Sequence, residues 1–231
     1  MFPLVLLLTH LLVPWGADAQ TSSEKTRAPR TPSGDTSRRP QSDAPPAAAP
    51  NTATPNSATA PKPGVHAPTG LNFPVEMAGT IMTRTVDYSQ PPTNEARLGI
   101  SHHYRGSAPI DLSFYLYTGG IRVPDDVADP IIQAQFEQAD REIAATAAKT
   151  GRYRDMRVVA GPTVCRLGAI QFRCMTYAAL MADAKPVFTS LLVGGSRGYF
   201  VKIRLDWPRD QNMNAAGEGV LNAFVAAQKS Q

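Results

Sequence analysis

Alternation between apolar and polar positions is the clearest signal in the chain. Ile110, Leu112, Phe114 and Leu116 alternate with Asp111, Ser113, Tyr115 and Tyr117, which predicts a half-buried strand over Ile110–Tyr117. Strands are also predicted at Thr80–Tyr88 and at Arg97–Arg105, the latter with Leu98, Ile100, His102 and Tyr104 on one face. Gly106-Ser107 suits a hairpin turn between Arg97–Arg105 and Ile110–Tyr117. The period then changes. Ile132, Phe136, Ala139, Ile143 and Ala147 recur at helical spacing, after an N-cap at Asp129 and a proline at the first helical position, Pro130. Lys149 and Gly151 supply the end signals. Four more strands follow at Met156–Val164, Ile170–Ala179, Val187–Val193 and Tyr199–Trp207, with Gly194–Gly198 as a hairpin loop between the last two. Val220, Leu221, Phe224 and Val225 mark a closing helix over Met213–Gln228, weakened in its first half by Gly217 and Gly219. The order β-β-β-α-β-β-β-β-α, with short connections, predicts an α+β domain with a mainly antiparallel sheet of six to seven strands and two helices.

The first 70 residues show neither period. Phe2–Val13 is an apolar run of signal-peptide length, and Ala17-Asp18-Ala19 offers small residues for cleavage before Gln20. No Lys or Arg precedes the run, so it reads either as a signal with a weak n-region or as a chain whose start lies upstream. Residues 20–70 hold 10 of the 21 prolines and almost no large apolar side chains. Such a segment cannot bury enough surface to offset its chain entropy, and a disordered Pro/Ala/Thr/Ser-rich tether is expected. The division is then a signal peptide at 1–19, a linker at 20–70 and a domain at 71–231, expected in the periplasm or secreted. No later stretch is apolar and long enough to predict a spanning helix.

Charge adds little. The formal net charge is +4, and three of those positive charges are in the tether. Residues 71–231 carry 17 Lys and Arg against 15 Asp and Glu, which is not the concentrated basic face that nucleic acid demands. Composition also excludes a collagen, a coiled coil and a disulfide-dense miniprotein.

Candidate chemistry is sparse. Cys165 and Cys174 are the only cysteines, and an even count in an exported chain points to a disulfide. A turn centred between Ala169 and Ile170 sets them directly opposite each other. One at Leu167-Gly168 puts them out of register, and two partly buried thiols are the alternative. His102 and His103 are adjacent on a strand and point to opposite faces, so they cannot share one metal ion. No metal site and no cofactor are expected. Asp125, Asp126 and Asp129 lack the spacing of a calcium loop. Ser196, in Gly-Gly-Ser-Arg-Gly, is one position away from a nucleophile elbow and lies between two strands rather than a strand and a helix. One surface stands out. Tyr115 and Tyr117 share a strand face, Lys202 and Arg204 share another, and Arg173 lies on a third. Should these faces align, they form a basic, aromatic-flecked patch suited to an anionic ligand or an acidic partner; otherwise they are ordinary polar sheet positions.

Phe73-Pro74-Val75-Glu76-Met77-Ala78-Gly79, Leu98-Gly99-Ile100 with Tyr104-Arg105, Asp111-Leu112 with Tyr115-Leu116-Tyr117, and Gln133–Ala139 together resemble a group of uncharacterised exported bacterial proteins. More remotely, an early Phe-Pro followed by strands and a mid-domain helix is similar to the Mog1/PsbP-like α/β sandwich. That resemblance implies a binding or assembly module rather than an enzyme, and it transfers no site residues. The expectation is a non-enzymatic envelope module that binds an envelope protein or an anionic cell-wall component. The alternative is a small envelope hydrolase whose site is assembled only in the fold.

Overall fold

The computed structural model describes residues 63–106, 110–209 and 214–229, all within one compact unit, Asn51–Gln231. The expected signal and most of the expected tether lie outside the described residues. The elements are β1 (Gly64–His66), β2 (Leu71–Phe73), β3 (Glu76–Met77), β4 (Thr80–Asp87), β5 (Ile100–Gly106), β6 (Asp111–Tyr117), α1 (Pro130–Thr150), β7 (Tyr153–Leu167), β8 (Ile170–Met181), β9 (Pro186–Ser196), β10 (Tyr199–Pro208) and α2 (Asn214–Ala227). Strand β1, N-terminal to the expected domain start at Leu71, pairs with β2 in a small antiparallel ribbon.

The other strands form one sheet in the order β3-β4-β5-β6-β10-β9-β8-β7. Every neighbouring pair is antiparallel. The fold is thus α+β as the periodicity predicts, with eight strands in the sheet. The short strands β1, β2 and β3 carry too few residues to show a period.

The two faces bury different cores. Leu112, Phe114, Leu116, Val201, Ile203 and Leu205 point to the side where α2 lays Val220 and Phe224 against Phe73 and Tyr104. Gly217 sits close to the Trp207 indole, where an added Cβ would lie 3.0 Å from the ring, so this glycine permits the helix to approach. On the opposite side, the α1 stripe of Ile132, Phe136, Ala139 and Ile143 covers Met175, Leu191, Val193 and Phe200. Asp129 accepts a hydrogen bond from the Ile131 N–H at 2.8 Å, and Gly151 closes the helix in the left-handed conformation at φ 63°.

Two local expectations change. Leu98 belongs to a short 3-10 turn, Ala96–Leu98, and is 43% exposed rather than on the buried face of a strand. Gly99 follows at φ 65°, where a Cβ would meet the Leu116 carbonyl oxygen at 1.8 Å, so the strand begins only at Ile100. Gly194 and Gly195 belong to β9, not to the hairpin loop. A Cβ on Gly195 would lie 1.8 Å from the Pro124 carbonyl oxygen. These glycines admit neighbouring backbone, and Arg197-Gly198 alone makes the turn.

Cys165 and Cys174 form a disulfide with Cα atoms 6.0 Å apart. Leu167 pairs with Ile170, so the turn is Gly168-Ala169. Cys165 stands opposite Phe172 and Cys174 opposite Thr163, and the bridge therefore runs diagonally across the β7–β8 hairpin.

Candidate anion-binding cleft

Strand pairing assembles rows of side chains that the sequence leaves scattered. Lys202 pairs with Tyr115 on one side and Val193 on the other, and Val193 pairs with Arg173. Arg204 pairs with Ser113, Ser113 with His103, and His103 with Arg84. All these residues face the α1 side of the sheet. Tyr115, Tyr117, Lys202 and Arg204 come together there. Arg173 shares the face but lies beyond Val193, with its guanidinium 5.8 Å from the centre of the Phe136 ring on α1.

Helix α1 packs chiefly on β7, β8 and β9, and Tyr117 of β6 reaches the cluster beneath it, so its cover thins toward β4. A polar cleft runs from the edge of α1 across this part of the sheet. Adjoining hollows of about 310, 80 and 410 Å³ share Tyr115 and Arg152 along their walls. A fourth hollow of about 370 Å³, at the strand ends beside Arg105 and Asp206, has a more apolar lining from Ile110, Met181 and Val187.

Arginine and carboxylate charges in the cleft are unevenly paired. Arg152 Nη2 donates to Asp206 Oδ2 at 2.8 Å and to Asp111 Oδ2 at 3.1 Å. The Tyr153 hydroxyl donates to Asp206 Oδ2 at 2.5 Å. Arg105 is 4.0 Å from Asp111, and Lys202 is 3.8 Å from Glu142. Arg84 and Arg204 have no carboxylate within 4.0 Å among the described residues. Arg204 Nε and Tyr117 Oη are buried with no hydrogen-bond partner there.

Lys202 lies over two tyrosine rings, 4.8 Å from the centre of Tyr115 and 5.6 Å from that of Tyr117. Burial pulls its pKa below the usual lysine value, Glu142 opposes that shift, and Arg204 adds to it.

His103 organises the other end. Its Nε2 is 3.3 Å from Arg84 Nη2 and 3.0 Å from Ser101 Oγ. Its Nδ1 is 2.8 Å from Ser113 Oγ. A guanidinium can only donate, so Nε2 is the accepting nitrogen and Nδ1 carries the hydrogen. The bond to Ser113 therefore runs from the imidazole to the serine oxygen. The hydroxyl hydrogen of Ser113 is left for another acceptor, and Ser113 lines the cleft. Burial, then the charge of Arg84, lowers the His103 pKa to about 4, so the ring is neutral near pH 7.

His102, on the opposite face, stacks on Phe73 at 4.3 Å and bonds to the Thr85 hydroxyl at 3.1 Å, a core residue as its place beside Tyr104 suggests. Among the described residues no group of three or more His, Cys, Asp or Glu could hold a metal ion, and no helix is long and apolar enough to cross a membrane. Ser196 ends β9. Asp125 accepts from the Arg197 N–H at 2.7 Å, and Asp126 from the Ala128 N–H at 2.9 Å.

Sequence reasoning missed Arg84, His103, Ser113, Arg152 and Asp206 as site residues. Alternation puts His103 and Ser113 on polar strand faces, but only the β6–β10 pairing brings Arg204 beside them.

No family model matches the chain, and no curated protein matches it. Solved structures give remote similarities. A protein from Bacteroides thetaiotaomicron is 8% identical, with 64% of this chain and 46% of that one covered at a TM-score of 0.34. This chain thus spans under half of that protein. The solution structure of cyanobacterial PsbP from Synechocystis is 13% identical, with 69% of this chain and 88% of that one covered at a TM-score of 0.37.

Proposed function

We propose that the protein is an exported, non-enzymatic binding module that takes an anionic group of a ligand or envelope partner into the cleft on the α1 side of its sheet. The observation that carries this reading is the contact of the Arg84 guanidinium with His103 Nε2, which sets the direction of the hydrogen bonds around the ring. Arg84 donates to the imidazole, and the imidazole donates to Ser113. A serine nucleophile needs the reverse, a base that accepts its proton. Ser113 also sits within a strand, where backbone N–H groups are taken up by the sheet rather than gathered to stabilise an oxyanion. The same groups serve a binder well, because they present donors to a cleft that is already polar. The Cys165–Cys174 disulfide supports the reading of an oxidising compartment, and the apolar run before Ala19 supports export.

The competing reading is an envelope hydrolase built on Ser113 and His103. A fluorophosphonate serine probe separates the two. No labelling of Ser113 is expected, with intact mass unchanged after prolonged incubation. Stoichiometric labelling that disappears in Ser113→Ala overturns the binding reading in favour of the hydrolase.

A further inference from the structure

We propose that the cleft recognises a compact dianionic oxyanion, in chemical class a phosphate monoester, centred on the Ser113 hydroxyl and held between Arg84 and Arg204. This rests on the binding reading above and adds the ligand class. Three observations converge on it.

The first is the supply of donors. The Ser113 oxygen already accepts from His103, so its hydrogen points to another acceptor, either the neighbouring Tyr115 hydroxyl or an incoming oxygen that takes its place. Tyr88 and Ser101 extend the same network behind His103, with hydroxyls 3.4 Å apart. The network thus runs from buried strand positions toward the cleft, and a ligand that only accepts hydrogen bonds completes it.

The second is the balance of charge. Arg152 is engaged by Asp111 and Asp206, Arg105 stands near Asp111, and Lys202 stands near Glu142. Of the cations that line these hollows, the two without a carboxylate among the described residues are Arg84 and Arg204, which flank the His103–Ser113 pair along one row of the sheet. Two guanidinium groups without a carboxylate call for two negative charges. Arg204 also carries a buried Nε with no acceptor among the described residues.

The third is shape. Ser113 is the direct cross-strand neighbour of Arg204, while Arg84 reaches as far as the His103 ring. The hollow that Arg84 shares with Ser113 and the smaller one that Arg204 shares with Ser113 thus meet at that serine. A tetrahedral dianion presents three oxygens to such a set, whereas a single planar carboxylate presents two and carries one charge. The carboxylates of Asp111 and Asp206 also border this space. Asp111 is held by Arg152, while Asp206 keeps Oδ1 without a partner among the described residues, so the oxyanion must sit toward Ser113 and away from Asp206.

The test is calorimetric titration of the full chain with phenyl phosphate, inorganic phosphate, succinate and benzoate at constant ionic strength. Phenyl phosphate and inorganic phosphate are expected to bind, and benzoate to bind at least about tenfold more weakly. Arg84→Gln and Arg204→Gln are each expected to weaken phosphate binding by about tenfold or more, with melting temperature unchanged. Arg157→Gln, on the exposed far strand β7, is expected to leave it as it was. If a glutamine variant does not fold, Arg84→Lys and Arg204→Lys keep the charge without the planar fork and are expected to weaken binding less. A preference for the ester over inorganic phosphate identifies a phosphorylated ligand, and the opposite preference identifies the free ion. Equal affinity in the wild type and both arginine variants overturns the proposal. Succinate binding without phosphate binding overturns the ligand class and leaves the binding reading intact. Hydrolysis of phenyl phosphate in the calorimeter cell overturns the binding-only reading and leaves the oxyanion site intact.

Discussion

The same strands build two unlike surfaces. On the α2 side the sheet is closed by a helix and the β1–β2 ribbon, and Phe73, Tyr104, Phe114 and Phe224 make a dry aromatic core. On the α1 side the helix stops short, and the strands nearest β4 show arginine, histidine, serine and tyrosine to a cleft. Adjacent residues mark the split, since His102 stacks on Phe73 while His103 meets Arg84 and Ser113. Alternation along one strand thus lets a single segment serve stability and recognition at once, each with its own set of side chains.

The comparison breaks most sharply at Phe114. Phe114 is fully buried beneath Phe224, so Phe114→Ala leaves a cavity and is expected to cost about 3–5 kcal/mol in urea unfolding. Arg204→Gln, between the core residues Ile203 and Leu205 but on the opposite face, is expected to stay within about 0.5 kcal/mol of wild type. Similar losses from both would mean that the cleft side is also structural core.

Acid is the next probe. Burial, then the charges of His66 and His103, lowers the His102 pKa to about 4 from the ordinary 6.5. His103 is lowered to about 4 by burial and Arg84, with Asp111 opposing and Arg105 adding to the effect. The unfolded chain therefore binds more protons between these values. Stability is complete above pH 6.5, falls as pH drops toward 4, and stops falling on this account below that. His102 accounts for up to about 3 kcal/mol of the decline, and the half-buried His103 for less. His102→Gln is expected to remove the larger part of the slope in melting temperature between pH 6.5 and 4. A slope that survives in His102→Gln and vanishes in His103→Gln would reverse the assignment of which face is the acid-sensitive one.

The smallest effect sharpens the role of α1, which marks the boundary of the cleft. Asp129→Ala removes the N-cap bond to Ile131 and is expected to cost about 1 kcal/mol by chemical denaturation, without altering anion binding. An equal loss of phosphate affinity would show that the helix start and the cleft are coupled.

Much of the fold was legible in the sequence, because alternation and helical spacing are local properties. The α1 stripe from Ile132 to Ala147, its Asp129-Pro130 start and its Gly151 end all stand as predicted. The Gly194-Gly195 pair misled, because a glycine that admits another stretch of backbone looks in sequence like a turn glycine. The cleft was only half legible. Tyr115, Lys202 and Arg204 carried a local signal as polar positions on aromatic or apolar strands. Arg84, His103 and Arg152 did not, because their meaning depends on which strands are neighbours, and the β6–β10 pairing is set by contacts far apart in the chain.

That pairing also fixes an order of events. Strand β10 bonds β6 on one edge and β9 on the other, so it is the piece that joins the two halves of the sheet. During synthesis β6 emerges well before β10, with α1 and three strands made in between. Until Tyr199–Pro208 is available, β6 has no partner on the edge that β10 fills, and the strands on either side of β10 cannot join into one sheet. Joining them requires closure of a long loop, a step whose entropic cost must be met before the contacts that reward it form. The last strand to be made is thus the one that commits the whole domain.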